Sequence, residues 1–417
     1  MSTAKFFNVV LFLSLFVILG APAAAQFWTA TGTMGDSTVN AIAFSPNNNV
    51  YAATNKGISR STDRGATWTS IGPADSMISA VAAPVNGMVL AGTISLYNSM
   101  LRTTDDGLHW TRLAVDTLVN INPISAMGVD ALGNIIAGGI MIVYRSTDNG
   151  DHWSTSYLQT QQAGFNLISV IVPVPSGLVF AAHQSGVYRS SDGGISWERK
   201  VTGLDDTTAR AIGYDETGYV YAGIYGMGIY RSGDNGDNWQ RSDSGVTNHL
   251  VSAFASNSLD EVYAGTTGGG VFRTNDNGDH WQEVAGLGNK YVRCLAMSHD
   301  GYLYAGTTGG GVYRSQQSTT GLRKLPTGIP GRFDLAQNYP NPFNPSTRIS
   351  FSLPKERFVK LEVYNLLGAR MATLISENLS AGSYSAAWNA ASAPSGVYFY
   401  RLEAGSFLQT RKMILLR

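Results

Sequence analysis

The feature that most constrains this chain is an eight-residue box, Ser/Thr-x-Asp-x-Gly-x-x-Trp, that recurs at a nearly fixed interval. Its six copies pair Asp63 with Trp68, Asp105 with Trp110, Asp148 with Trp153, Asp192 with Trp197, Asp234 with Trp239 and Asp276 with Trp281. Successive box aspartates lie 42, 43, 44, 42 and 42 residues apart. A period of that size marks a propeller or a solenoid, where one supersecondary unit repeats and each copy buries its apolar face on the next.

The residue types inside the box describe a turn. Each copy sits between two short β-prone runs, as with Gly228-Ile229-Tyr230-Arg231 before the fifth box and Trp239-Gln240-Arg241 after it. A carboxylate there accepts backbone N–H bonds, and the glycine supplies a left-handed residue without steric cost. The tryptophan is large enough to wedge between neighbouring sheets. All six aspartates and all six tryptophans are therefore read as structural. The pattern resembles the Asp-box repeat of bacterial neuraminidases and related secreted propellers. That resemblance covers the repeat and implies a propeller fold; it does not extend to an activity.

One unit has a four-part grammar. Ala209–Tyr214 reads as a strand, Asp215 to Gly218 as a turn, Tyr219–Gly223 as a second strand and Gly228–Ser232 as a third. The box then turns the chain into a fourth strand at Trp239–Ser242. Four short antiparallel strands per period make one propeller blade. The second-to-third strand element occurs seven times, from Tyr51–Arg60 to Leu303–Arg314, yet there are six boxes. Near the N-terminus, Phe27-Trp28-Thr29 is similar to His109-Trp110-Thr111. The N-terminal strand is thus expected to complete the seventh blade and close the ring, which removes open sheet edges. The predicted fold class is all-β: a seven-bladed β-propeller over 26–317, followed by a small Ig-like β-sandwich.

Charged residues are only 14% of the chain and glycine contributes 47, a composition that suits tightly turned β structure. Lysine plus arginine and aspartate plus glutamate both number 29. That balance leaves no electrostatic footprint for nucleic acid or an anionic membrane. Cys294 is the single cysteine, so no intrachain disulfide forms. Residues 1–25 read as a secretory signal peptide: Lys5, an apolar run from Val9 to Leu19, then Ala23-Ala24-Ala25 before Gln26. The run is too short to span a bilayer, so no retained membrane segment is expected.

Residues 318–332 read as a linker, and the grammar changes from Phe333 to Arg417. Short alternating runs such as Ile349–Leu353, Val359–Tyr364 and Gly396–Glu403 spell a small β-sandwich. The opening Asn338-Tyr339-Pro340-Asn341-Pro342-Phe343-Asn344-Pro345 is followed by Val363-Tyr364-Asn365 with Gly368, and by Ala381-Gly382 with Tyr384. Ser395-Gly396-Val397-Tyr398-Phe399-Tyr400 and Lys412-Met413 complete the set. Together these resemble, nearly end to end, the C-terminal sorting domain of the type IX secretion system. The resemblance implies the type IX machinery as a partner and passage from the periplasm across the outer membrane of a Gram-negative bacterium. It further implies removal of this domain, leaving the cargo secreted or held at the cell surface.

Aligning the seven first strands stacks Asn40, Ser79, Ser125, Ser169, Arg210, Ser252 and Arg293 in one column near a mouth of the central channel. Alternation places the boxes and the first-to-second-strand turns on one face. The second-to-third-strand hairpins and the inter-blade loops lie on the other, the loop face, where variable loops surround the channel. Arg210, Arg293, Asp205, Asp206, Tyr225, His249 and Tyr291 are the candidate ligand-binding residues there. Asp205 or Asp206 is expected either to pair with Arg210 or to leave it for an anionic ligand. No metal or cofactor is expected: His109, His152 and His280 each adjoin a box tryptophan, and no ligand-like His or Cys spacing occurs.

Two functions follow. The first is a secreted or cell-surface, non-enzymatic recognition or scaffold propeller that binds an extracellular glycan or protein. The second is a secreted glycoside hydrolase, sialidase-like or xyloglucanase-like, which needs acids converging on one cavity. Asp205 and Asp206 are the adjacent acids on the loop face. Clustered free acids there favour the hydrolase; aromatics with small polar groups favour binding.

Overall fold

The computed structural model describes residues 27–416, apart from 35–36, 74–75, 95–99, 114–122, 160–166, 216, 258–259, 317–318, 320–321, 326–328 and 391–392. The signal-peptide expectation, residues 95–99 on the loop face of the second blade and parts of the linker lie outside the described residues.

Seven four-stranded antiparallel sheets are built from the propeller region. In the fifth, Ala209–Tyr214, Val220–Ile224, Gly228–Ser232 and Gln240–Arg241 pair in sequence order. Burial varies across the blade in a way that the sequence explains. The second strand is buried along its whole length, because it is covered by neighbouring blades on both faces. Such strands read as unbroken apolar runs, as in Val220-Tyr221-Ala222-Gly223 and Val262-Tyr263-Ala264-Gly265. The outermost strand, Gln240–Arg241, is exposed.

The second position of the second strand carries Tyr51, Leu90, Ile136, Phe180, Tyr221, Tyr263 or Tyr304, each at most 1% exposed. Each such side chain adds about 1.5–3 kcal/mol of transfer free energy to the core. Propeller cores form between blades rather than within them. One joins Ala211, Tyr221 and Ile229 of the fifth blade to Val251, Phe254, Val262 and Trp281 of the sixth.

The ring closes through the N-terminal strand. Trp28–Ala30 pairs antiparallel with Val312–Ser315, setting Trp28 opposite Ser315 and Ala30 opposite Tyr313. Trp28 is fully buried among Tyr263, Val271 and Leu303. The last seam joins Tyr304 and Val312 of the seventh blade to Val39, Val50 and Ala52 of the first. The first strands neighbour one another around the ring, and Val292–Met297 meets Val39–Phe44.

Two further four-stranded sheets make the C-terminal sandwich. One orders Leu322–Leu325, Gly382–Asn389, Ser346–Leu353 and Asp334–Leu335. The other orders Arg370–Leu379, Arg357–Asn365, Gly396–Ala404 and Phe407–Leu415. Their inner faces share one core that includes Phe351, Leu361, Trp388, Tyr400 and Met413. One boundary differs from the expectation. The segment 318–332 contains the strand Leu322–Leu325, which pairs with Gly382–Asn389, so the sandwich begins before Phe333. A strand of four residues amid Pro, Gly and Thr carries little periodicity, and its edge position is set by its partner.

The Asn338-to-Pro345 opening explains itself in the fold. Phe343 N donates to Ile414 O at 3.0 Å, and Leu416 N donates to Phe343 O at 3.0 Å. Ile414 N also donates to Asn341 Oδ1 at 2.9 Å. The opening thus covers the free edge of the last strand, where unpaired backbone groups would otherwise invite another chain. Buried Asn338 anchors it, with its N–H donating to Tyr400 Oη at 2.8 Å and its amide donating to Thr347 Oγ1 at 2.8 Å.

Candidate functional site

The box turns have one geometry. In the first, Ser61 Oγ donates to Asp63 Oδ1 at 2.7 Å and accepts Gly65 N at 2.7 Å. Asp63 accepts Thr67 N at 2.9 Å and Thr67 Oγ1 at 2.6 Å. Gly65 has φ 88° and Arg64 before it φ 59°. The residue before the box glycine is left-handed in every copy, as Arg64, Asp106, Asn149, Gly193, Asn235 and Asn277. Three asparagines and a glycine suit that conformation.

These bonds hold the carboxylates ionised. Asp63 is lowered to about 2, chiefly by the Thr67 hydroxyl and N–H. Asp105 and Asp148 reach about 2 through the backbone N–H and then the ring of His109 and His152. Asp234 is lowered to about 2 by the Asn238 amide and N–H. In Asp192 desolvation is the largest influence and pushes upward, but bonds from Ser196, Ser190 and Ile195 outweigh it and leave the group at about 2. Asp276 is lowered likewise, against desolvation, by His280 and Thr274.

The tryptophans join blades. Trp110 Nε1 donates to Ile71 O at 2.7 Å, Trp197 Nε1 to Ser156 Oγ at 3.1 Å and Trp281 Nε1 to Ser242 O at 2.7 Å. Each acceptor belongs to the outer edge of the preceding blade. Trp239 and Trp281 are buried, whereas Trp68, Trp110, Trp153 and Trp197 are half-buried.

The third strands add a second seam that sequence reasoning passed over. Arg102 Nη1 reaches the next blade's box at Asn149 O, 2.9 Å, and Asp151 Oδ1, 2.6 Å. Arg189 reaches Asn235 O at 2.8 Å and Asp237 Oδ1 at 3.0 Å. Arg231 reaches Asn277 O and Asp279, and Arg314 reaches Arg64 O at 2.9 Å. The seventh blade has no box, and Arg273 of the sixth turns back to Glu261 of its own blade at 3.4 Å. The signal was in plain view: an arginine stands three residues before each box aspartate.

The loop face is built differently. Five of the column residues, Asn40, Ser79, Arg210, Ser252 and Arg293, sit at register shifts in the first strand. The polar ones reach to the next blade. Asn40 Nδ2 donates to Ile78 O at 2.8 Å, Ser125 Oγ to Ile168 O at 2.7 Å and Ser252 Oγ to Val292 O at 2.7 Å. An arginine is too long for that bond. The Arg210 guanidinium lies over the Tyr225 ring, 5.5 Å from its centroid, and Arg210 Nε is buried without a partner. Arg293 is exposed. Among the described residues neither guanidinium has a carboxylate within ion-pair distance.

The expected pairing of Asp205 or Asp206 with Arg210 does not occur. Asp205 accepts the Tyr230 hydroxyl. Burial first, then that carboxylate, push Tyr230 up to about 12. Asp206 Oδ1 accepts Thr208 N at 2.6 Å, and bonds from Thr208 lower its pKa. Asn248 and Asn289 do the same for Leu250 N and Tyr291 N at 2.9 Å in the next two blades, so Asp206 is one of three equivalent turn caps. His249 lies 3.5 Å from Asp243, which Arg241 also binds at 2.9 Å. The structure therefore brings Arg210 and Tyr225 together and engages Asp205, Asp206 and His249 elsewhere. Tyr225 is 55% exposed and Tyr291 56%. Among the described residues no group of three or more His, Cys, Asp or Glu side chains is placed to hold a metal ion.

A ring of four-stranded sheets followed by a two-sheet sandwich defines a β-propeller with an appended β-sandwich domain. Residues 337–416 match the secretion system C-terminal sorting domain. Most of the chain is similar in structure to Porphyromonas gingivalis PorZ, described as an essential bacterial surface component of the type IX secretion system. That likeness has a TM-score of 0.55 at 16% identity, covering 93% of this chain and 60% of PorZ, so the chain spans less than two thirds of that protein. A structure of Ycf48 bound to D1 peptide matches at TM-score 0.56 and 20% identity, over 71% of this chain and 97% of that one. The photosystem II assembly lipoprotein Ycf48 of Synechococcus sp. strain CC9902 is 33% identical over 108 residues, 25% of this chain and 32% of that relative. The structural likenesses show the fold. The sorting domain implies handling by the type IX secretion system and export to the cell surface or out of the cell. No helix of the described residues is long and apolar enough to cross a membrane.

Proposed function

We propose that this chain is a non-enzymatic recognition propeller of the Asp-box type, carried out of the cell by its sorting domain, that binds an extracellular ligand on the loop face. The observation that carries this reading is the state of the loop-face side chains. Asp205, Asp206 and Asp243 are each engaged by a hydrogen bond or an ion pair, whereas Tyr225 stands exposed against Arg210, Tyr291 is exposed, and among the described residues neither Arg210 nor Arg293 has a carboxylate partner. A glycosidase needs a proton donor and a nucleophile or base free to meet substrate; a binding face needs exposed aromatic and polar groups. Ycf48, a propeller of the same fold, is bound to a D1 peptide, which makes a peptide a natural first class to test.

The test is a glycan and peptide array probed with the full chain, run beside hydrolysis assays on the same glycans. Retained ligand without product supports the reading, and release of reducing ends from any glycan would overturn it. The address is tested separately. Removing residues from 320 onward should leave the protein in the periplasm, and normal surface delivery of that truncated chain would refute the role given to the domain.

A further inference from the structure

We propose that Arg210 and Arg293 form the seat for a side-chain or terminal carboxylate of an acidic peptide, an inference that rests on the recognition reading above. The two arginines hold equivalent positions in the fifth and seventh blades, each at the register shift of a first strand. Elsewhere in the column the side chain ends on a main-chain carbonyl of the next blade, as with Asn40, Ser79, Ser125 and Ser252. Replacing that short bond with a guanidinium gives up a seam contact and places a permanent positive charge beside the channel. Arg210 Nε is buried and unbonded, as are those of Arg145, Arg231 and Arg314, so an anion is met by the two terminal amino groups rather than by Nε.

The surroundings select the class of anion. The Arg210 guanidinium lies over the Tyr225 ring, 5.5 Å from its centroid, so its position is biased before the ligand arrives. A planar fork suits the two oxygens of a carboxylate, taken with parallel hydrogen bonds. The rim also carries Met227 and Leu250, each 37% exposed, and Tyr291 at 56%. Flexible and branched apolar side chains give a sugar hydroxyl no partner but accept the side chains of a peptide. The main-chain groups of the rim are already committed. Tyr225 N donates to Thr208 O at 2.9 Å, and Thr308 N donates to Tyr291 O at 3.0 Å. Recognition therefore falls to charge and apolar contact rather than to strand addition.

The experiment uses the full chain and a microarray of 15-residue peptides in which Glu or Asp adjoins Leu, Phe or Tyr. Matched peptides carry Gln or Asn instead, and oligogalacturonate serves as an acidic glycan. The wild type is expected to bind acidic peptides and to lose at least tenfold in affinity on the amide versions. Arg293→Gln, at an exposed position, and Arg210→Lys, which keeps the charge but loses the fork, should each weaken binding about tenfold with an unchanged melting temperature. Raising salt should weaken it further. Equal binding of acidic and amide peptides, or binding untouched by both substitutions, would overturn this seat while leaving a recognition propeller standing. Arginine-dependent binding of oligogalacturonate in place of peptide would overturn the ligand class. Hydrolysis of that glycan would instead sink the underlying reading.

Discussion

The two faces of the propeller are made by the same repeat yet differ in how completely their polar groups are paired. On the box face each turn is closed by its own Ser or Thr and Asp, and most turns are bonded again from the neighbouring blade. On the loop face the entry turns are capped locally, but among the described residues no side-chain hydrogen bond or ion pair engages Arg210, Arg293, Tyr225 or Tyr291. The box face thus joins blades, and the loop face presents side chains. A repeat can divide its labour this way because the two sets of loops alternate along the chain, so one set can vary without disturbing the other.

The sharpest way to break this contrast is to remove a seam tryptophan. Trp281, 3% exposed and bonded to Ser242 O, should cost about 3–5 kcal/mol as Trp281→Ala. Half-buried Trp197 should cost less as Trp197→Ala. Denaturant titration would rank the two, and equal midpoints for Trp281→Ala and wild type would contradict the wedge. Next comes the box carboxylate: Asp192→Ala should lose about 1–3 kcal/mol, because four N–H and O–H donors are left without their acceptor.

The same groups set an acid limit. Asp63, Asp105, Asp148, Asp192 and Asp234 lie near 2 in the folded state, against about 3.9 in an unfolded chain. Their stabilisation is present above the unfolded value and is lost as pH falls through the folded one. Stability measured by denaturant should therefore decline from about pH 4 toward pH 2. Flat stability across that window would show that the turns do not depend on ionised aspartates.

Smaller still is the arginine seam. Arg102→Ala should cost about 1 kcal/mol, since its partners are exposed and the pair is screened. Arg273→Ala should leave the seam between the sixth and seventh blades unaltered, because Arg273 pairs with Glu261 of its own blade. At the far end, Arg293→Ala on the loop face should change stability by no more than about 0.5 kcal/mol. A loss there as large as that of Asp192→Ala would erase the distinction between the faces.

Much of this was legible in the sequence, and the reason is periodicity. The seven second-to-third-strand elements count blades, and Trp28 fits the missing outer strand because Trp28-Thr29 repeats Trp110-Thr111. What was not legible depends on distances no local pattern encodes. Leu322–Leu325 is a strand because Gly382–Asn389 offers it an edge, more than fifty residues on. The Asn338-to-Pro345 opening could be matched as a motif, but its work as a cover for the last strand is visible only in three dimensions. At the candidate site, the column sets Arg210 and Arg293 apart from serine and asparagine by residue type alone. Of the alternatives left open for Arg210, the pairing with Asp205 fails because the Tyr230 hydroxyl, contributed by the third strand, already holds that carboxylate.

The clasp between Trp28 and Ser315 also has a consequence in time. The two residues are 287 positions apart, counted as 315 minus 28. At ribosomal speeds of about 5–20 residues per second, Trp28 waits on the order of 15–60 s before its partner exists. For most of that interval a large indole has no core to enter, because Tyr263, Val271 and Leu303 are themselves made late, and once Val312–Ser315 is made it remains an open edge until the two meet. The first-made and last-made pieces of the ring must find each other after everything between them is in place. A nascent chain held extended during that interval, by a chaperone or by transit through a membrane, would be spared the mispairing that an early, incomplete ring invites.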